Sequence, residues 1–214
     1  MNEIHIQEKH IYNSLNPLFK DNGYELLPFH KQFRLPTRNG YRAALIAVNG
    51  TRYEQTIELN LGIRLDIVEE LVSQFIRELP VNYKENTTIT ASYGRLTEQP
   101  YKRFLVKDEA DLSAVCKRIE SFMTGKGFKF LESFDKMRKI DGLINRKPEQ
   151  ACYLLNNQVV RCFKGIALAK MTHRTDFNRL VKTYLNYLHK QWAPQTVIDN
   201  YKKFVRFLRF YSLN

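Results

Sequence analysis

The sequence predicts an α+β fold: an N-terminal helix, an antiparallel β-meander sheet and a helical-hairpin C-terminal region. Two observations predict it. Two Asn-Gly pairs, Asn39-Gly40 and Asn49-Gly50, separate three strand-like runs, and Asn-Gly is the favoured pair for a tight hairpin. Beyond residue 108 the apolar residues recur at helical rather than alternating spacing. Charge also divides the chain, with 11 Lys and Arg against 12 Asp and Glu in residues 1–100, but 23 against 10 in residues 101–214.

Taken in order, residues 3–22 read as a helix. Ile6, His10, Leu15, Leu18 and Phe19 share a face, Pro17 is a kink or early end, and Asp21-Asn22-Gly23 is the stop. Residues 24–35 read as one strand ended by Pro36, and residues 41–48 as the next. Residues 51–61 alternate, with Tyr53, Gln55, Ile57, Leu59 and Leu61 on one face. Residues 66–76 are helical in pattern, residues 87–93 a fourth strand and residues 103–106 a fifth. A helix is expected from Asp108, with acids in its first turn and Gly125-Lys126-Gly127 closing it. Two short helical pieces follow over residues 128–144, and Pro148 opens another through Leu155. Three longer helices cover residues 159–171, 177–192 and 195–211, with Asp176 and Pro194 at helix starts. The reading divides the chain into an α/β part, residues 1–107, and a basic all-helical part, residues 108–214, packed against it.

Of the 214 residues, 43% are hydrophobic and 13% aromatic, enough for a packed interior rather than a disordered chain. The N-terminal stretch has no apolar run, and no stretch of about 18 apolar residues occurs. The expectation is a cytoplasmic protein with no membrane contact. Cys116, Cys152 and Cys162 are odd in number and form no C-x-x-C pair, so reduced, buried thiols are expected. Asn49-Gly50-Thr51 and Asn86-Thr87-Thr88 match the glycosylation triplet by chance in that setting.

Several segments resemble a bacterial family of domains of unknown function. They are residues 18–24 (LFKDNGY) with Phe33-Arg34, residues 57–63 (IELNLGI), and Asp111-Leu112 through Phe130-Leu131 and Leu143. The resemblance covers the first two thirds of the chain and leaves the basic tail outside. It supplies no catalytic residues. Relatives lying among toxin and immunity genes imply an immunity or regulatory role.

The residues themselves name no catalysis and no cofactor. Gly125-Lys126-Gly127 lacks the spacing of a phosphate loop, no H-E-x-x-H occurs, and no serine sits in G-x-S-x-G. His5, His10, His30, His173 and His189 show no metal-ligand spacing. A site assembled from residues distant in sequence stays open as a lesser alternative.

The basic tail is more informative. Residues 151–214 hold 11 basic residues and two acids, Asp176 and Asp199. On a helix over residues 195–211, Val197, Ile198, Tyr201, Phe204, Val205, Leu208 and Tyr211 form the apolar arc. Lys202, Arg206 and Arg209 form a stripe opposite, with Lys203 beside it, Phe210 within it and Phe207 at its edge. Arg179 and Lys182 repeat the theme one helix earlier, and Arg161, Lys164, Lys170 and Arg174 one helix before that. The expected function is a non-enzymatic interaction module binding an acidic protein partner through Lys202, Lys203, Arg206, Arg209, Phe210, Arg179 and Lys182. The alternative is nucleic-acid binding by the same surface, with Phe207 and Phe210 stacking on bases. Packing of these two rings on a neighbouring helix is the structural alternative.

Overall fold

A computed structural model describes residues 3–51, 54–76, 87–99 and 101–212. The chain is α+β and forms two compact units, one of Met1–Ile63 with Thr90–Ser133, the other of Arg64–Ile89 with Phe134–Asn214.

The first unit begins with α1 (Glu3–Asp21), which carries Pro17 inside it. Its buried face is Ile11, Tyr12, Leu15 and Phe19, whereas His10 is exposed; Ile6 lies outside the side chains described. The face turns aromatic where it meets the sheet. Phe19 stacks on Phe33 with ring centroids 4.1 Å apart, Tyr12 meets Phe33 edge-on at 5.9 Å, and the Tyr12 hydroxyl donates to the Ile46 carbonyl at 3.0 Å. Such pairs add to area burial. Gly23 (φ 81°) ends α1 with N–H bonds from Gly23 to Lys20 and from Tyr24 to Phe19, the paired bonds of a Schellman end.

The sheet has strands β1 (Glu25–Leu27), β2 (Gln32–Thr37), β3 (Gly40–Gly50), β4 (Gln55–Leu65), β5 (Ile89–Ser92) and β6 (Phe104–Val106). Its order is β1-β2-β3-β4-β5, with β6 also on β4. The run over residues 24–35 is two antiparallel strands rather than one. Pro28–His30 form a 3-10 turn, and Lys31 (φ 52°) reverses the chain between them. Pairing of Thr37 with Gly40 puts Arg38-Asn39 in the first hairpin turn. The second turn is closed by the Thr51 N–H to the Glu54 carbonyl. The first turn is the Thr37–Gly40 turn that the sequence predicts, whereas the second falls just beyond Asn49-Gly50. Gln55, Ile57, Leu59 and Leu61 are buried together, as alternation predicts; Tyr53 lies outside the described residues. Helix α3 (Tyr93–Leu96) is a single turn.

Helix α4 (Glu109–Phe122) starts at Asp108, whose carboxylate accepts from the Asp111 N–H at 2.8 Å. Gly125-Lys126-Gly127 does not stop it. Met123–Gly127 form a π-helical turn that leads straight into α5 (Phe128–Ser133). Neither glycine takes the left-handed conformation of a helix end, and the space a Cβ at Gly127 would fill, 2.5 Å from Met123 Sδ, is left to that side chain.

The second unit holds α2 (Asp66–Ser73), α6 (Met137–Ile144), α7 (Gln158–Met171), α8 (Phe177–Lys190) and α9 (Gln195–Phe210). The helix expected from Pro148 to Leu155 is absent, and residues 145–157 are irregular. Helix α7 is central, with Cys162, Phe163 and the run 166–169 wholly buried. A helix apolar all round belongs inside its unit. Phe163 lies against Tyr201 and Phe204 of α9, and Phe75, just beyond α2, against Phe204 and Phe207.

Candidate partner interface

The basic side chains of α8 and α9 are placed by amphipathicity. Leu180, Tyr184, Tyr187 and Leu188 of α8 turn inward, as do Val197, Ile198, Tyr201, Phe204, Val205 and Leu208 of α9. The Tyr201 hydroxyl donates to the Val181 carbonyl at 3.1 Å, tying the two helices together. Burial leaves only the opposite faces for charge. Lys202, Lys203, Arg206 and Arg209 on α9 and Arg179 and Lys182 on α8 are all exposed. Lys182, Lys202, Lys203 and Arg206 make no ion pair among the described residues.

The two phenylalanines separate. Phe207 is half-buried, 5.4 Å from Phe75 and from Tyr211, so it packs on its own unit. Phe210 is 86% exposed. An apolar ring left in water beside arginines costs solvation with no internal compensation.

One of the named cations has an acidic partner. Arg179 donates to Asp176 at 2.6 Å. The same carboxylate accepts two bonds from Arg174, at 2.7 and 3.0 Å. These bonds, Arg174 first, hold the Asp176 carboxyl down to about 2, and Asp176 in turn raises Arg174. Asp176 thus serves as an anchor for arginines; its carboxylate accepts no capping bond from the N–H groups of α8. Arg209 lines a shallow cleft of about 610 Å³ with Lys170, His173, Arg174, Phe177 and Asn178. The Lys170 ammonium points at the Arg209 carbonyl from 3.4 Å. His173 and Asn178 carried no sequence signal. They arrive there because His173 (φ 56°) turns the chain at the end of α7.

Arg161 and Lys164 leave the basic surface altogether. Arg161 is 1% exposed and Lys164 4%. Lys164 Nζ lies 3.1 Å from Glu69 Oε2 and donates to the Thr87 carbonyl at 2.7 Å. Glu69 accepts from Thr88 Oγ1, which accepts from the Leu65 N–H, each at 2.9 Å. Beside it, Asn145 Nδ2 donates to Asp141 and to the Gly165 carbonyl, while the Tyr184 hydroxyl donates to Asn145 Oδ1 at 2.6 Å. Arg174 reaches Asp141 at 3.2 Å from the outside. The signal for burial was the apolar run around both cations, which leaves α7 without a polar face.

All three cysteines are buried and unpaired. Burial pushes the Cys162 thiol up to about 12 and raises Cys116 as well, and a protonated thiol is a poor nucleophile. Among the described residues no group of three His, Cys, Asp or Glu is placed to hold a metal ion, and no helix is long and apolar enough to cross a membrane. Comparison with protein-family models, curated proteins and solved structures found no match.

Proposed function

We propose that this protein is a non-enzymatic interaction module, of immunity or regulatory type, that binds an acidic protein partner through α8 and α9. One observation carries the reading: Lys182, Lys202, Lys203 and Arg206 are exposed without a counter-ion among the described residues, with Phe210 86% exposed nearby in sequence. Arginine and aromatic side chains anchor interfaces, and complementary charge sets their register and association rate. The test is affinity capture on the full chain, followed by binding measurements with the purified candidate. The double variant Lys202→Glu, Arg206→Glu is expected to abolish capture of one acidic protein that the unaltered chain retains. Equal capture by both chains overturns the reading.

The second reading is nucleic-acid binding, favoured by Phe210 following Arg209 and lying a turn beyond Arg206, where a ring can stack on an unpaired base. Gel shifts with single-stranded probes at two salt concentrations separate the two. A shift that collapses steeply with salt and is lost in Phe210→Ala selects nucleic acid over protein.

A further inference from the structure

A different basic feature of the second unit takes the form of a cleft. Residues 145–157 join α6 to α7 without regular structure, and two side chains from the start of α7 hold them in shape. Gln158 accepts from the Cys152 N–H at 2.9 Å and donates to the carbonyls of Cys152 and Leu155 at 3.0 and 2.6 Å. Arg161 donates to the carbonyls of Ile144 at 3.2 Å, Lys147 at 2.9 Å and Gln150. The loop so fixed borders a cleft of about 580 Å³, lined by Lys139, Arg146, Lys147, Arg161, Leu143 and Tyr153 among others. No described Asp or Glu lines it. Lys139 shares its charge with Asp135 at 2.8 Å. Arg161 is buried with no carboxylate partner among the described residues, and its Nε has no hydrogen-bond partner. Carbonyl dipoles and the rings of Tyr184 and Tyr187, 5.4 and 5.7 Å away, are what offset its charge.

We propose that this cleft binds a small phosphate-bearing molecule. Its volume falls in the range of small-ligand pockets, roughly 300–1,000 Å³, which favours a metabolite over a polymer. A buried cation acts through a low dielectric and is screened little by salt, so Arg161 makes the cleft wall positive. Arg146 and Lys147 are exposed and reach for the anion with charge-assisted bonds. Tyr153, 61% exposed, offers a ring to a planar substituent. The loop is already ordered by α7, so little chain entropy opposes binding. This site is independent of the α8–α9 surface and of what that surface binds.

Calorimetric titration of the full chain with ADP, pyrophosphate and adenosine at physiological salt tests it. ADP and pyrophosphate are expected to bind and adenosine not. Arg161 also pins the loop, so the variant is Arg146→Ala, Lys147→Ala, which removes only exposed side chains. It is expected to weaken both phosphate ligands about tenfold or more. Lys202→Glu, Arg206→Glu is expected to leave them unchanged. Absence of binding by ADP and pyrophosphate, retention of affinity in the cleft variant, or an equal loss in the α9 variant overturns the proposal.

Discussion

Replacing Lys164 by methionine removes one half of a buried ion pair and keeps an unbranched chain only one atom shorter. Its side chain is 6% exposed and that of Glu69 1%, so neither charge is rescued by water. At 3.1 Å and an effective dielectric of about 20, Coulomb's law gives about 5 kcal/mol of gross attraction. Desolvation of both ions offsets most of that gain, so the intact pair adds little net stability. Removing one partner is different, because it strands a carboxylate: about 3–5 kcal/mol. Against a total of about 5–15 kcal/mol for a folded protein, this loss moves the second unit to the edge of unfolding. Glu69 Oε2 lacks an aligned hydrogen bond, so charge rather than bond geometry holds the contact. Urea unfolding of Lys164→Met, Glu69→Gln and the double variant forms a cycle. The double variant is expected to recover at least about 1 kcal/mol relative to the sum of the single losses. Salt is expected to change none of the three by much. A Lys164→Met loss below about 1 kcal/mol, or strict additivity in the cycle, refutes the reasoning.

Three further outcomes follow from single positions. Gly165→Ala sets a Cβ 2.7 Å from Asn145 Oδ1 and from the Tyr184 hydroxyl, so it is expected to destabilise by about 1–3 kcal/mol in urea unfolding, although Gly to Ala inside a helix ordinarily stabilises. Trp192, 92% exposed at φ 52°, occupies the left-handed end of α8 with N–H bonds from Trp192 to His189 and from Ala193 to Leu188. Trp192→Gly is expected to stabilise by about 0.5–1 kcal/mol in thermal or urea melts, the relief of left-handed strain less the added freedom of glycine in the unfolded chain. Asp176 is held down to about 2 against about 3.9 in an unfolded chain. The unfolded chain therefore takes up the proton first, so the stability Asp176 contributes is full above about pH 4 and is lost as pH falls toward 2. Asp176→Asn is expected to flatten that stretch of the stability–pH curve, and an unchanged slope counts against the Arg174 clamp.

The meander and the helical C-terminal region were legible because they rest on local rules. The alternation of Gln55, Ile57, Leu59 and Leu61 survives in their common burial, and α7, α8 and α9 start and stop within two residues of the periodic runs. What was misread depends on turn geometry and side-chain contacts that periodicity does not register. Pro28 and Lys31 fold one apparent strand into two. Gly125 and Gly127 stay out of the left-handed conformation, so the helix runs through the pair expected to end it. The segment after Pro148 has a helix-start signal, yet Arg161 takes the Gln150 carbonyl and Gln158 those of Cys152 and Leu155, and backbone groups engaged by side chains need no helix of their own.

For the candidate sites the division is the same. The sequence by itself determined which residues of α8 and α9 face water, because a helical repeat with an apolar arc leaves its cations one side to occupy. It also determined that positive charge gathers late in the chain. Only the tertiary structure decided which of those cations are available. Helical spacing treats Arg161, Lys164 and Lys202 alike as basic residues, but Glu69, the partner of Lys164, stands on α2, remote in sequence from α7. Arg161 and Lys164 went inside because α7 is enclosed on every side, and a buried cation persists only where ions, dipoles or rings compensate it. Those compensating groups, Glu69, Thr87 and the carbonyls of Ile144 and Lys147, are brought to α7 by the fold and by nothing local in its sequence.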